Sequence, residues 1–358
     1  MGYPRVTADL GAIRENVDRA AALCHRRGLS LAAVTKCACA DAHILRVLED
    51  SGCDWLADSR LSNLASVRSR KPRFLIRPSQ RWELPEVAAN AEISFQSEAE
   101  TIRLLGEETA RQGRRHKIIL ACDLGDLREG CFFRDEADIL AAAEAALRAP
   151  ALELYGVGMN LGCFGGVLPC EENMSGLMSI AEKLRARYGA PIPIVSGGST
   201  VLIRHLLDGT VPPGINNCRM GELWLSGHDP GRGEDVPGFS RRCFTLEAQL
   251  IEVKRKPSKP IGPIGGDAFG HVIERLDLGP MQRGILACGK QDIDPESLYP
   301  MDERIRVVGA SSDHTIVDLT DAPEYRLGDV LSFRLGYGSI LRAYTSHYVE
   351  RRYIGAEK

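Results

Sequence analysis

Long apolar runs are missing from this sequence. None of its 358 residues fall in a stretch near the roughly twenty consecutive apolar residues a membrane helix needs. The opening Met1-Gly2-Tyr3-Pro4-Arg5 runs into Val6-Thr7-Ala8-Asp9-Leu10 without a signal-peptide core, so no membrane partner and a cytoplasmic location are expected. A bias of charge is also missing: 45 Lys and Arg stand against 48 Asp and Glu, a formal net charge of -3. With no long block of one sign, no nucleic-acid partner is expected. The short basic run Lys254-Arg255-Lys256-Pro257-Ser258-Lys259-Pro260 reads as a solvated loop. Cysteines number 11, an odd count, scattered singly apart from Cys37 and Cys39, which is neither a disulfide framework nor a zinc spacing. No metal-ligating set is expected. Aromatics are sparse at 6%, and no internal repeat or low-complexity tract occurs. What remains is a globular chain, long enough for two domains and suited to small-molecule chemistry.

Up to about residue 228, short apolar strands alternate with amphipathic helical stretches, the pattern of a parallel α/β sheet. Eight strands are expected: Leu31–Thr35, Asp54–Ala57, Arg73–Arg77, Glu92–Phe95, Lys117–Cys122, Leu152–Val157, Ile192–Ser196 and Ile215–Cys218. Eight points to a closed (β/α)8 barrel over residues 11–230, with a doubly wound open sheet as the rival. Ile13, Val17, Ala20, Ala21 and Cys24 share one face of a helix ahead of the first strand. Near Asp229-Pro230-Gly231-Arg232-Gly233 the character changes, and residues 231–358 read as a mostly β domain. Its expected strands are Phe244–Lys254, Arg283–Ala287, Arg304–Val308, His314–Leu319, Val330–Arg334 and Ile340–Val349. The opening strand within residues 1–10 has no slot in the barrel and is expected to join this β domain.

In such a barrel, reactive groups sit where strands end, on the loops facing the substrate. Lys36 directly follows Leu31-Ala32-Ala33-Val34-Thr35. Burial there favours a free amine, the form that attacks a carbonyl to make a Schiff base; a snorkelling strand-end lysine is the plainer alternative. Ser196-Gly197-Gly198-Ser199-Thr200 follows the seventh strand and Arg219-Met220-Gly221-Glu222 the eighth, the usual positions of a phosphate cradle. A lysine on the first strand opposite such a cradle suggests pyridoxal 5'-phosphate, held at both ends.

Taken together, Ala32 to Asp41, Asp126-Leu127-Arg128-Glu129-Gly130, Gly156-Val157-Gly158-Met159-Asn160, Ser196 to Thr200, Arg219 to Glu222 and Ser311-Ser312-Asp313-His314 resemble the alanine racemase family of pyridoxal-phosphate enzymes. The likeness is nearest to the ornithine racemase-like branch and runs over nearly the whole chain. The resemblance implies an amino-acid racemase, an isomerase that interconverts L- and D-forms by two-base transfer of the α-proton. Lys36 would bind the cofactor and act as one base. Arg219 would face the pyridine nitrogen, where a guanidinium, which cannot be deprotonated, keeps that nitrogen unprotonated. Ser199, Gly221, Glu222 through its backbone N–H, and Tyr348 would lie on the phosphate side, where the cradle reading itself offers a hydroxyl from Ser199 or Thr200. Arg128 would contact the phenolic oxygen and the substrate carboxylate. Asn160 stands where the wider family has a histidine. A homodimer, with the active site closed by the partner's β domain, is implied in the same way, with ornithine ahead of lysine, serine or alanine as substrate.

The second base departs from the family pattern. The family's tyrosine loop corresponds here to Gly265-Gly266-Asp267-Ala268-Phe269-Gly270, which has no tyrosine, and Ala40 stands where another family tyrosine would follow the lysine. Racemisation by two bases needs a group on each face of the carbanion. The candidates are Asp267, then His314 or Asp313, with Tyr337 as a more distant one; Asp267 as a plain turn residue is the competing reading. Asp58 or Asp313 are candidate partners for a distal ammonium. Related aldolases and dehydratases carry a late His-x-Cys metal pair that is absent here, and the decarboxylase loop of the fold is not matched by Asn160-Leu161-Gly162-Cys163. A non-catalytic pyridoxal-phosphate carrier would resemble the barrel half alone. Cys37 and Cys39, flanking Lys36, could bind metal or sense oxidation, with buried packing the plainer reading.

Overall fold

A computed structural model describes residues 2–267, 269–272 and 276–355. Two compact units divide the chain, residues 1–12 with 241–358, and residues 13–240. The division falls at Ser240 and Arg241, whereas the change in sequence character comes near residue 230.

In chain order the first unit's strand β1 (Arg5–Asp9) leads into helix α1 (Leu10–His25). Strands β2 (Ser30–Val34), β3 (Trp55–Asp58), β4 (Arg73–Leu75), β5 (Ile93–Gln96) and β6 (His116–Asp123) follow, then the two-residue β7 (Cys131–Phe132), β8 (Leu152–Met159), β9 (Ile194–Ser196) and β10 (Asn217–Met220). Every pairing among the eight longer strands is parallel, and β10 pairs with β2 while β5 pairs with β6, so the sheet closes. The closed barrel is the expected architecture, and the open doubly wound sheet is excluded. Helices α2 (Ala42–Glu49), α3 (Leu61–Ser66), α4 (Leu84–Asn90), α5 (Ala99–Arg111), α6 (Glu136–Arg148), α7 (Glu171–Tyr188) and α8 (Ile203–Asp208) connect successive strands, and α9 (Glu222–Ser226) follows the last.

The barrel interior is filled by alternate residues of its strands: Ala32 and Val34, Trp55 and Ala57, Ile93 and Phe95, Ile119 and Ala121 are all buried in one cluster. That is the period-two pattern of a sheet with one face turned inward. Phe74 lies edge-on to both Trp55 and Phe95, with ring centroids 5.9 and 5.0 Å apart, a geometry that adds to the area buried. Large rings need a small neighbour in the same layer. Gly158 supplies it, because a Cβ there would stand 2.8 Å from the Phe95 ring.

The unit that holds β1 is β-rich: β13 (Phe244–Pro257), β14 (Pro280–Leu286), β15 (Leu298–Pro300), β16 (Arg306–Ala310), β17 (Thr315–Asp318), β18 (Val330–Leu335) and β19 (Glu350–Ile354), after a small hairpin of β11 (His228–Asp229) and β12 (Glu234–Asp235) in the barrel unit. The order across the sheet is β15-β18-β13-β14-β17-β16. Strand β1 pairs antiparallel with β13 and parallel with β19. Strand β13 has its register shift between Leu250 and Glu252, beyond its β18 pairing and within its β14 pairing. Phe244, Leu246, Ala248 and Leu250 alternate into its core. One expected strand is corrected: within Ile340–Val349, the residues up to Thr345 belong to helix α10 (Tyr337–Thr345). Ser339, Ile340, Ala343 and Tyr344 are its buried residues, spaced for one helical stripe, and Tyr344 packs edge-on to Phe244. Among the described residues no helix is long and apolar enough to cross a membrane.

Candidate active site

The C-terminal ends of β2, β6, β8, β9 and β10 carry the barrel's predicted site residues. Lys36 opens a short 3-10 turn after β2, and the chain then passes through Cys39 and Ala40 at φ 50° and 49°. Two successive side-chain-bearing residues in the left-handed region are uncommon and costly. The turn is held from both sides: Thr35 donates its backbone N–H to Ala57 at 2.8 Å, and Asp41 caps α2 through the N–H groups of His43 and Ile44. The lysine itself is half-buried, and its amine has no hydrogen-bond or ion-pair partner among the described residues.

Asp58, at the end of β3, is fully buried. It accepts from the Thr35 hydroxyl at 2.6 Å, the Arg60 N–H at 2.7 Å and the Asn63 amide at 3.1 Å. Burial raises its carboxyl above the ordinary range against those bonds. With both oxygens taken, it acts on the Thr35-Lys36 turn and offers no face to a substrate ammonium. Cys37 is 1% exposed, and burial pushes its thiol well up, so it stays protonated and unreactive.

Arg219 lies in register with Ala32 of β2, so it points into the barrel interior. A guanidinium 2% exposed requires partners for its donors. It donates to Ser196 Oγ at 2.5 Å, to the Met159 carbonyl at 2.6 Å and to Asn160 Oδ1 at 2.6 Å, and it lies 4.6 Å from the centroid of Phe95. Burial lowers its pKa to about 10, which leaves it charged at neutral pH. Of its five N–H bonds, Nε–H and one on Nη1 have no acceptor among the described residues. Ser196 in turn donates to Asn217, whose amide donates to Ser30 Oγ at 3.0 Å. Three neighbouring strands are thereby tied to one arginine.

The loop after β6 carries Arg128. Asp123 Oδ1 accepts from the N–H groups of Gly125 and Leu127 at 2.9 and 3.1 Å. Gly130 turns the chain at φ 124°, where a Cβ would lie 2.7 Å from the Asp123 nitrogen; no other residue fits. Asp126, 1% exposed, accepts from Gly162, Cys163, Phe164 and Val167 N–H groups at 3.0–3.3 Å. One carboxylate thus shapes the loop that follows Asn160. Arg128 is paired with Glu129, whose carboxylate also accepts from the Asn160 amide at 2.5 Å.

On the anion side, Ser199 Oγ donates to the Leu161 carbonyl at 3.3 Å, and Thr200 is buried at the start of a 3-10 turn. Backbone N–H groups of Ser199, Gly221 and Glu222 meet no acceptor among the described residues. Unspent N–H groups on two adjacent loops suit a phosphate. Glu222 begins α9, and burial with Asp229 nearby raises its carboxyl to about 7.

The remaining predicted residues lie in the β unit. Asp267 Oδ1 accepts from the N–H groups of Phe269 and His271 at 2.8 and 2.9 Å, and Lys290 stands 3.6 Å from its other oxygen. The His271 and Phe269 N–H groups, with Lys290, hold its carboxyl below the ordinary range. Asp267, Phe269, Lys290 and Ser311 share the lining of a cavity of about 650 Å³; Ala268 of the same loop lies outside the described residues. Asp313 pairs with His314 Nδ1 at 3.0 Å, which lowers the Asp313 carboxyl. Tyr337 is the first residue of α10. Tyr348 is 71% exposed. Asp126, Ser196 and Glu129 lie inside the quoted motifs, but sequence patterns give none of them a role of its own; the one available signal is an acid or hydroxyl placed at a barrel strand's end.

A closed parallel barrel with an unpaired lysine after its first strand and a tied arginine on its last defines the class. Residues 8–223 match the family described as alanine racemase, N-terminal domain, and the chain belongs to that family. It is 39% identical over 351 residues to the ornithine racemase of Acetoanaerobium sticklandii, with 98% of this chain and 99% of that protein covered. It is 36% identical over 356 residues to the lysine racemase of Thermotoga maritima, covering 99% of each. Among solved structures, an alanine racemase from Streptomyces coelicolor superposes with a TM-score of 0.71 at 19% identity over 98% of both chains. A D-threonine aldolase from Filomicrobium marinum gives 0.69 at 16% identity, over 96% of this chain and 88% of that one. Likeness at that level shows the shared fold, which different reactions use.

Proposed function

We propose that this protein is a pyridoxal-phosphate-dependent racemase of ornithine, working in the cytoplasm as a homodimer. The observation that carries the reading is Lys36: a half-buried amine without a partner among the described residues, at the mouth of the same barrel as the buried Arg219. Similarity over nearly the whole chain to an ornithine racemase supports the substrate. Lysine is the second reading, supported by the lysine racemase relative. The two substrates differ by one methylene, a difference pockets discriminate only modestly. Eleven cysteines, none in a disulfide among the described residues, suit a reducing compartment. The dimer rests on family resemblance.

The residues present fit the cofactor: a free amine for its aldehyde, unspent N–H groups of Ser199, Gly221 and Glu222 for its phosphate, and the open donors of Arg219 for its ring nitrogen. Bound pyridoxal phosphate supplies an electron-withdrawing ring that acidifies the amino acid's α-hydrogen. Lys36 Nζ would remove or return that hydrogen on one face. Arg219 holds its own protons and cannot pass one to the ring, which limits side reactions. Arg128 would hold the substrate carboxylate. On the opposite face Asp267 is the first candidate, and the Asp313–His314 pair, a histidine oriented by a carboxylate, is the alternative. The test follows α-hydrogen exchange by NMR in heavy water with L-ornithine, L-lysine, L-serine and L-alanine, together with chiral analysis. Exchange and appearance of the D-form fastest with ornithine is expected; a loaded protein that exchanges none of the four overturns the reading.

A further inference from the structure

At the barrel mouth a single carboxylate joins groups from two different loops. Glu129 Oε1 accepts from Arg128 Nη2 at 2.7 Å and from Asn160 Nδ2 at 2.5 Å, while Oε2 pairs with Arg128 Nε. Asn160 Oδ1 accepts from Arg219. The result is one line of bonds, Arg128, Glu129, Asn160, Arg219, with a single anion between two cations. Its side chain is 18% exposed, dry enough for such charge-assisted bonds to hold geometry.

We infer that Glu129 is the positioning residue of this site, fixing where Arg128 points and which way the Asn160 amide faces. A carboxylate only accepts and a guanidinium only donates. Asn160 must therefore turn its NH2 toward Glu129 and its carbonyl toward Arg219. Without the anion the Asn160 amide is held from the Arg219 side alone, and the long Arg128 side chain regains rotamers that binding must freeze again. Loop shape does not depend on Glu129, because Asp123, Asp126 and Gly130 set the backbone on their own. A change at 129 thus reaches the two side chains while sparing the fold. The inference rests on the reading of Arg128 and Asn160 as groups that meet substrate and cofactor.

The test compares full-length wild type, Glu129→Gln and Glu129→Asp, each loaded with pyridoxal phosphate. It reads the absorption spectrum and dissociation constant of the cofactor, KM and kcat for L-ornithine, and the melting temperature. In Glu129→Gln, KM rises by about tenfold with a smaller change in kcat, as expected when a substrate-holding group loses its alignment, and the bound cofactor's absorption maximum shifts. Its melting temperature stays within roughly 2 °C of wild type. Glu129→Asp keeps the charge beside Arg128 and regains most of the KM, but falls short of Asn160 and keeps the spectral shift. Wild-type KM and spectrum in Glu129→Gln overturn the inference and leave a plain ion pair. Should Glu129→Gln melt early, an aspartate variant restored in KM, spectrum and melting together overturns it in favour of a fold role. A wild-type protein that takes up no cofactor overturns the underlying reading and this inference with it; one that binds and racemises beside an indistinguishable variant overturns this inference alone.

Discussion

Two neighbouring strands of the barrel treat their cations in opposite ways. Lys36, just past β2, has no partner among the described residues, while Arg219, on the adjoining β10, is tied to Ser196, Met159 and Asn160. The difference is in what surrounds them: a strained turn with its hydrogen bonds spent on the backbone presents the lysine bare, and a network over three strands leaves the arginine two open donors. The contrast teaches that reactivity and fixity are built separately here. A group that has to exchange partners is left without one, and a group that has to stay protonated and in place is held by several.

The comparison can be broken first at the lysine. Lys36→Ala should lower α-hydrogen exchange of ornithine by about 10³-fold or more, the scale seen when a covalent or acid–base group is lost, and should abolish the cofactor's protein-bound absorption band. Since the amine holds no structural bond, unfolding in denaturant should be nearly unchanged. Arg219→Gln should do the reverse in kind. Its loss strands buried acceptors at Ser196 and Met159, at a cost of about 1–3 kcal/mol each, so the denaturation midpoint falls clearly. Exchange should fall by about 10²-fold, and side products of transamination, detected by keto-acid assay, should rise.

The smallest effect concerns Glu222, whose carboxyl is raised to about 7. A folded-state value above the unfolded one means that the native chain holds this proton more tightly. The stabilising contribution is complete below the usual carboxylate range, is lost as pH climbs to about 7, and stays lost above it. An ionised Glu222 at the start of α9 also opposes a phosphate. Relative to Glu222→Gln, wild type should therefore lose cofactor affinity by a few-fold as pH rises from about 6 to 8, measured by absorbance titration of both proteins in parallel. A constant ratio across that range would separate the carboxyl from the anion site.

Much of the barrel was legible because period-two apolar segments recur between helical ones; all eight expected strands overlap observed strands, from Leu31 in β2 to Cys218 in β10. The strand-end positions of Lys36 and Arg219 follow from that pattern. Helix α10 was not legible: Ile340, Tyr344 and Val349 look β-prone, and only packing of Tyr344 on Phe244 shows that a helical stripe wins. Strands β15 and β19 are three and five residues long, and their pairing partners are distant in sequence. The acids that organise the mouth were hidden for the same reason. Glu129 meets Asn160 across 31 positions, and Asp126 meets Val167 across 41. Such contacts are products of the closed barrel and leave no local periodicity.

The central claim is that the unpartnered lysine carries the cofactor. Reducing the loaded wild-type protein with borohydride and mapping the modified peptide by mass spectrometry tests it most directly. The account predicts one pyridoxyl group per chain, on Lys36; a label on another lysine such as Lys290, or no covalent label at all, would contradict it.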